Sequence, residues 1–412
     1  MRPFDITRNA ISNWSDSELN ALAVAIKQAT DACRDRTPEQ FSGDDLIAYA
    51  RLCALGQQWP TVNTAATQYI ASPDLAKPQL AQAYAFQINA ALHTNDPQAI
   101  LDDSLAMLHS VPYTSITDET LTAALRYLQL AFTPAALRLY AARQTILLAA
   151  LRGPQRLPTG TNTEVPLHTL YADGVAYAAL QQFGGATQSA VTTVAELDAA
   201  LPIPLQPDDS IPIAETRRQY ALLGAHLPAI SFTSSVFAPN ETPHINPNYG
   251  TATVLFLFPD WCAQCIRLAQ QLYPTLSRVN QSDMGEIHLY ALLAQAAPLA
   301  AAPKIPPKPP PPRSKSSASK PAQPEPPKTP LEQLQGTPTL VVAPDTLTQF
   351  AAADFPLLIA IDHEGIVRFI EQANETALMP GDFFDQITMN IAKQWPVQTS
   401  PPAASPTTPA KP

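Results

Sequence analysis

The sequence predicts a multidomain chain, all-α over residues 1–222 and α/β over residues 223–395, with a proline-rich insertion inside the second part. Three observations predict it. Up to about Leu223, apolar residues recur at helical spacing between recognisable start and stop signals. Beyond that point short β-branched and aromatic runs take over, the plainest being Val254-Leu255-Phe256-Leu257-Phe258. Between 298 and 330 Pro, Lys, Ser and Ala dominate, and strand-like runs lie on both sides.

Bulk composition narrows the function classes. The 412 residues allow two or three domains at roughly 100–200 residues each. Lys and Arg number 25 against 35 Asp and Glu, a net charge of −10, which argues against general nucleic-acid binding because that needs a basic face. No apolar run reaches the roughly 18 residues of a membrane-spanning helix, so no transmembrane segment is expected. The start Met1-Arg2-Pro3-Phe4-Asp5 is polar, so no signal peptide is visible there.

The helices follow in order. Ser15 and Glu18 suit a capping box, with Trp14 and Leu19 placed as a hydrophobic staple, and the first helix runs to about Cys33. A second covers about 44–55 and stops at Gly56. A third follows Pro60, a fourth covers about 77–93, and a fifth opens on Asp96-Pro97, an N-cap with proline at the first helical position. Further helices are read at about 117–131, 134–152, 166–182, 186–200 and 213–223. Short loops favour antiparallel helical hairpins. The stretch from Ala48-Tyr49-Ala50 to Ile70 resembles that from Ala83-Tyr84-Ala85 to Leu108 at a tetratricopeptide-like offset; an irregular helical domain is the alternative.

In the second part, Ala229–Phe232 and Thr253–Phe258 read as strands. The latter lacks polar alternation and suits a strand covered on both faces. A helix is expected at 263–279, then strands at 287–293 and 339–342, a short helix after Asp345, and strands at 357–361 and 366–370. Asp362-His363-Glu364-Gly365 reads as a hairpin turn with glycine where positive φ is cheap. A last helix is expected at about 381–394. The insertion at 298–330 and the tail at 396–412 should be extended and disordered.

The chemistry-bearing segment is Phe258-Pro259-Asp260-Trp261-Cys262-Ala263-Gln264-Cys265. A strand feeds it and a helix leaves it, so Cys262 sits at a helix N-terminus. Unpaired amides and the helix dipole favour a thiolate there, and the thiolate is the attacking form in disulfide exchange. Two intervening residues put Cys265 one turn on, ready to resolve a mixed disulfide. Half of a zinc site is the competing reading, but no second cysteine pair or suitably spaced His pair accompanies it, so neither metal nor cofactor is expected. Cys33 ends the first helix and Cys53 lies well inside the second. In a tight antiparallel hairpin they would be more than about 10 Å apart, so both read as buried free cysteines.

Three segments carry a family resemblance over residues 223–395. They are Gly224-Ala225-His226-Leu227-Pro228-Ala229-Ile230-Ser231-Phe232, Gly250 through Cys265, and Ala353 through Gly365. In this order they resemble the TlpA-type thiol–disulfide oxidoreductases of the thioredoxin-like superfamily. The resemblance implies a thioredoxin fold and Cys262 and Cys265 as catalytic residues. It also implies Pro356 as a cis-proline facing them, with Phe355 and Trp261 contacting substrate; Pro338 is a weaker rival for the cis position. It implies a client protein carrying a disulfide, an upstream thiol donor, and a periplasmic or cell-envelope setting, with the cytoplasm as alternative. The helical part would then offer a surface to a protein partner.

The chain also departs from the pattern. Gln264 stands where proline often precedes the second cysteine, and the positions six before and six after Cys262 are Phe256 and Leu268, not a buried acid. Asp260 is the nearest carboxylate, and Arg267 reads as a solvated helix position. The alternative is therefore a non-catalytic helical interaction scaffold with a weakly active redox domain. A peroxiredoxin-like reading is disfavoured by Pro259, which stands where a peroxide-binding Thr or Ser is needed. A copper-carrier reading would need a distant ligand such as His363.

Overall fold

The computed structural model of the chain describes residues 16–73, 77–131, 133–153, 165–236, 252–279, 287–295, 329–334, 336–352, 355–362 and 364–372. The Ser15/Trp14 cap, His363, the body of the proline-rich insertion, the helix expected at 381–394 and the tail lie outside these residues. The chain divides into two compact units, one ending at Gly224 and one beginning at Ala225.

The first unit is all helix: α1 (Asp16–Arg34), α2 (Asp44–Leu55), α3 (Trp59–Ala71), α4 (Leu80–Thr94), α5 (Pro97–Ser110), α6 (Ser115–Ala131), α7 (Thr133–Arg152), α8 (Leu167–Phe183), α9 (Thr187–Ala200) and α10 (Pro207–Leu222). Local signals act as read. The Asp96 carboxylate accepts from Ala99 N–H at 3.1 Å, with Pro97 opening α5. Small side chains let helices approach: Ala50, Ala65, Ala66 and Ala83 are fully buried where α2, α3 and α4 pack. Leucines fill the next layer, with Leu121, Leu125 and Leu128 of α6 against Leu139 of α7. Each such burial stabilises by about 1.5–3 kcal/mol. No helix among the described residues is long and apolar enough to cross a membrane.

The second unit is a mixed six-stranded sheet with helices: β1 (Phe232–Val236), β2 (Ala252–Pro259), α11 (Ala263–Val279), β3 (Ile287–Ala294), α12 (Pro330–Gln333), β4 (Thr339–Val342), α13 (Asp345–Gln349), β5 (Leu357–Ile361) and β6 (Val367–Gln372). The strand order is β1-β4-β3-β2-β5-β6. β2 sits inside, parallel to β3 and antiparallel to β5, with Pro259 opposite Ala294 and Leu257 opposite Leu357. Val254 through Phe258 are completely buried, which explains the unbroken apolar run. Gly365 turns the β5–β6 hairpin at φ 78°, and Asp362 Oδ1 accepts from Glu364 and Ile366 N–H, both at 2.9 Å.

Four readings need correction. Cys33 and Cys53 are not free: they form a disulfide, with Cα atoms 5.1 Å apart. The tight-hairpin assumption failed. Residues 35–43, with a 3-10 turn at Pro38–Gln40, carry the chain past the end of α1 before α2 begins. Cys53 lies about 13 Å into α2, so α2 begins beyond the end of α1 and only its last turn comes beside Cys33 and Thr30. Gly56 meets Thr30, whose hydroxyl donates to Gly56 O at 3.0 Å. Helix α10 starts at Pro207, not 213, because Pro212 is tolerated inside it; Pro207 occupies the first turn and Asp208 and Asp209 favour that end. Strand β1 is Phe232–Val236 rather than 229–232: Ser234 and Ser235 pair with β4 at a sheet edge, where polar residues are cheap. A short helix precedes the strand expected at 339: Thr329 and Glu332 form a reciprocal capping box that opens α12.

Candidate redox site

The sheet delivers β2 to the start of α11, and the turn between them is held by backbone bonds. Asp260 N–H donates to Ala294 O at 3.1 Å, Cys262 N–H to Pro259 O at 3.1 Å, and Ile266 N–H to Cys262 O at 3.2 Å. Cys262 therefore stands immediately before the first residue of α11. Cys265 lies one turn in, and the two sulfurs are joined. Cys265 N–H points at Cys262 Sγ, 3.3 Å away. That amide belongs to the helix end whose donors lack intrahelical partners, so it favours negative charge on Cys262 once the bond is reduced. Cys265 is fully buried whereas Cys262 is half-buried. An attacking or attacked sulfur must be reachable, and only the first of the pair is.

The register of β5 brings in the remaining predicted residues. Because β5 runs antiparallel to β2 from Leu357, the preceding Phe355–Pro356 lies at the end of the sheet where β2 turns into α11. The Phe355–Pro356 bond is cis, whereas Pro338 is not in a cis bond. The Trp261 and Phe355 rings meet edge to face, centroids 5.6 Å apart. Trp261 is nonetheless 72% exposed. The contact with Phe355 leaves most of the side chain open to solvent. Arg267 is exposed on α11.

Asp260, two residues before Cys262, is half-buried. Phe256, six residues before Cys262, is completely buried. Asp362 is buried, but Ile361 before it pairs with Thr253, so it lies near the other end of β2, about 20 Å along the strand. Its oxygens are occupied: Oδ2 accepts from Arg368 Nε at 2.6 Å and Oδ1 from the two hairpin amides. Among the described residues, no group of three or more His, Cys, Asp or Glu is placed to hold a metal ion.

A second polar centre, with no signal in the sequence, lies in the helical unit. The buried Arg143 donates through Nε to Tyr113 Oη at 2.6 Å. Through one terminal nitrogen it donates to Asp118 at 2.8 Å, Asp173 at 2.7 Å and the Thr122 hydroxyl at 3.1 Å. Burial pushes the Asp173 carboxyl up, to about 8; Arg143 opposes this and Asp118 adds to it. Burial likewise raises Tyr113. For Arg143 burial works against the charge, but Asp173, Tyr113 and Asp118 outweigh it. These residues come from three helices and, for Tyr113, the connection before α6, which is why no local motif marked them.

No protein-family model, curated protein or solved structure matches the chain.

Proposed function

We propose that the chain is a thiol–disulfide oxidoreductase of TlpA-like type, working on disulfides of client proteins through the Cys262–Cys265 couple. One observation carries the reading: a reachable Cys262 and a sealed Cys265, disulfide-linked at the N-terminus of α11, with Trp261 in contact with the residue of a cis Phe355–Pro356 bond. The order β2–α11–β3, with β5 and β6 antiparallel beyond it, supports a thioredoxin fold for residues 225–372. The two disulfides support a setting in which thiols are oxidised, such as the cell envelope.

In the reducing direction the Cys262 thiolate attacks one sulfur of the client disulfide. One client sulfur leaves as a thiol after taking a proton, and a mixed disulfide forms. The Cys265 thiolate then attacks Cys262 Sγ, freeing the second client thiol and restoring the intramolecular bond. The client gains two electrons and two protons. An external dithiol donor supplies them to the next cycle and leaves as its own disulfide. Trp261 and the Phe355 backbone would hold the client chain during the first step.

A second reading, a helical interaction scaffold with a weakly active redox domain, is favoured by the apolar Phe256 six residues before Cys262. Insulin reduction with dithiothreitol as donor separates the two. Turnover by the wild type that disappears in Cys262→Ser supports the enzyme. Equal background rates in both support the scaffold.

A further inference from the structure

The exchange cycle proposed above leaves the Cys33–Cys53 bond between α1 and α2 without a part to play. We propose that this bond is a permanent cross-link: a disulfide-bearing oxidant makes it once during folding, burial then withdraws it from exchange, and it clamps α1 to the rest of the helical unit. In its formation the two thiols lose two electrons and two protons. The oxidant's disulfide takes them up and leaves as two thiols.

The contrast between the two disulfides carries the argument. Exchange requires a thiolate to reach a sulfur. Cys262 is half-buried, whereas Cys33 and Cys53 are 1% and 0% exposed. The cover is built from several elements. Phe41 stacks on Tyr49 at 4.6 Å between centroids, and the Tyr49 hydroxyl proton lies between Cys33 O at 2.9 Å and Arg36 O at 2.7 Å. Ile47, Ala50, Val62 and Ala66 belong to the same buried cluster as the two sulfurs. A reductant reaches this bond only after α1 lifts away.

The clamp follows from how little else holds α1. Leu22, Ala25 and Ile26 are half-buried and Val24 is 56% exposed. Among its described side chains only Ala29 and Cys33 are buried. Its packing is chiefly against α2, at the end where Thr30 meets Gly56. A helix with so thin a buried face gains little from apolar burial. The covalent bond therefore sits where packing is weakest.

The test uses the full chain. The native protein is incubated with graded dithiothreitol, quenched with N-ethylmaleimide and mapped by peptide mass. We expect Cys262 and Cys265 to label at reductant concentrations that leave Cys33 and Cys53 unlabelled, and all four to label once guanidinium is added. Labelling of Cys33 and Cys53 in step with Cys262, or without any reductant, overturns the proposal. The readout is modification rather than turnover, so the result stands apart from whether Cys262 is catalytic. For the clamp, hydrogen exchange of the Cys33→Ala/Cys53→Ala chain should be at least tenfold faster over 20–34 and unchanged over 167–222; unchanged exchange over 20–34 overturns it. Should that chain fail to fold, the alkylation result decides alone.

Discussion

At Cys262 and Cys265 one helical turn separates two sulfurs that differ in access, and in the proposed cycle that difference makes Cys262 the attacking sulfur. Trp261 is the client-contact surface of the proposed cycle. Being 72% exposed, it contributes little to folding, so Trp261→Ala should leave the melting temperature nearly unchanged while raising KM for a protein disulfide several-fold. A drop in stability without a change in KM would make it a packing residue. Asp173 predicts a pH effect. Its folded pKa lies above the unfolded value of 3.8, so the stability it contributes is fully present below that value and is lost as pH rises to about 8. Asp173→Asn mimics the protonated form beside Arg143. The variant should match the wild type near pH 4 and exceed it above pH 8 in thermal melts. Parallel curves would contradict the assignment.

At the scale of elements, the legible features were those set by local rules. Gly56, Asp96-Pro97 and the apolar run Val254–Phe258 each act through neighbours in sequence, so α2, α5 and β2 were readable with little error. The placement of the cysteine pair was readable for the same reason: it depends on a strand end and a helix start within a few residues. What escaped were arrangements set by distant partners. The Cys33–Cys53 bond depends on how far residues 35–43 displace α2 along α1. β1 depends on β4, and Arg143 gathers Asp118 and Asp173 from neighbouring helices. The α1–α2 contact yields two predictions. Gly56→Ala would place a Cβ 2.6 Å from Thr30 N and 2.8 Å from Ala29 C, both backbone atoms that cannot turn aside. It should cost about 1–3 kcal/mol by denaturant unfolding. Removing the Cys33–Cys53 bond, whose sequence separation is 20, should cost about 3 kcal/mol through the entropy of the unfolded chain. Either change leaving the midpoint unmoved would mean that α1 adds nothing to the stability of the unit.

At the scale of the whole molecule, one chain carries two disulfides of opposite character: one sealed among helices and one presented where a sheet strand meets a helix. The acidic balance, with 25 Lys and Arg against 35 Asp and Glu, argues against general nucleic-acid binding. The proposed activity needs only the second bond to open and close. Its most direct test is to stop the cycle halfway. With Cys265→Ser the resolving step is absent, and a client disulfide should remain covalently joined to the protein. Non-reducing electrophoresis and peptide mapping of this variant after exposure to oxidised insulin should show a stable adduct through Cys262, absent when Cys262 is also replaced by Ser. No adduct, or an adduct that survives loss of Cys262, would contradict the account.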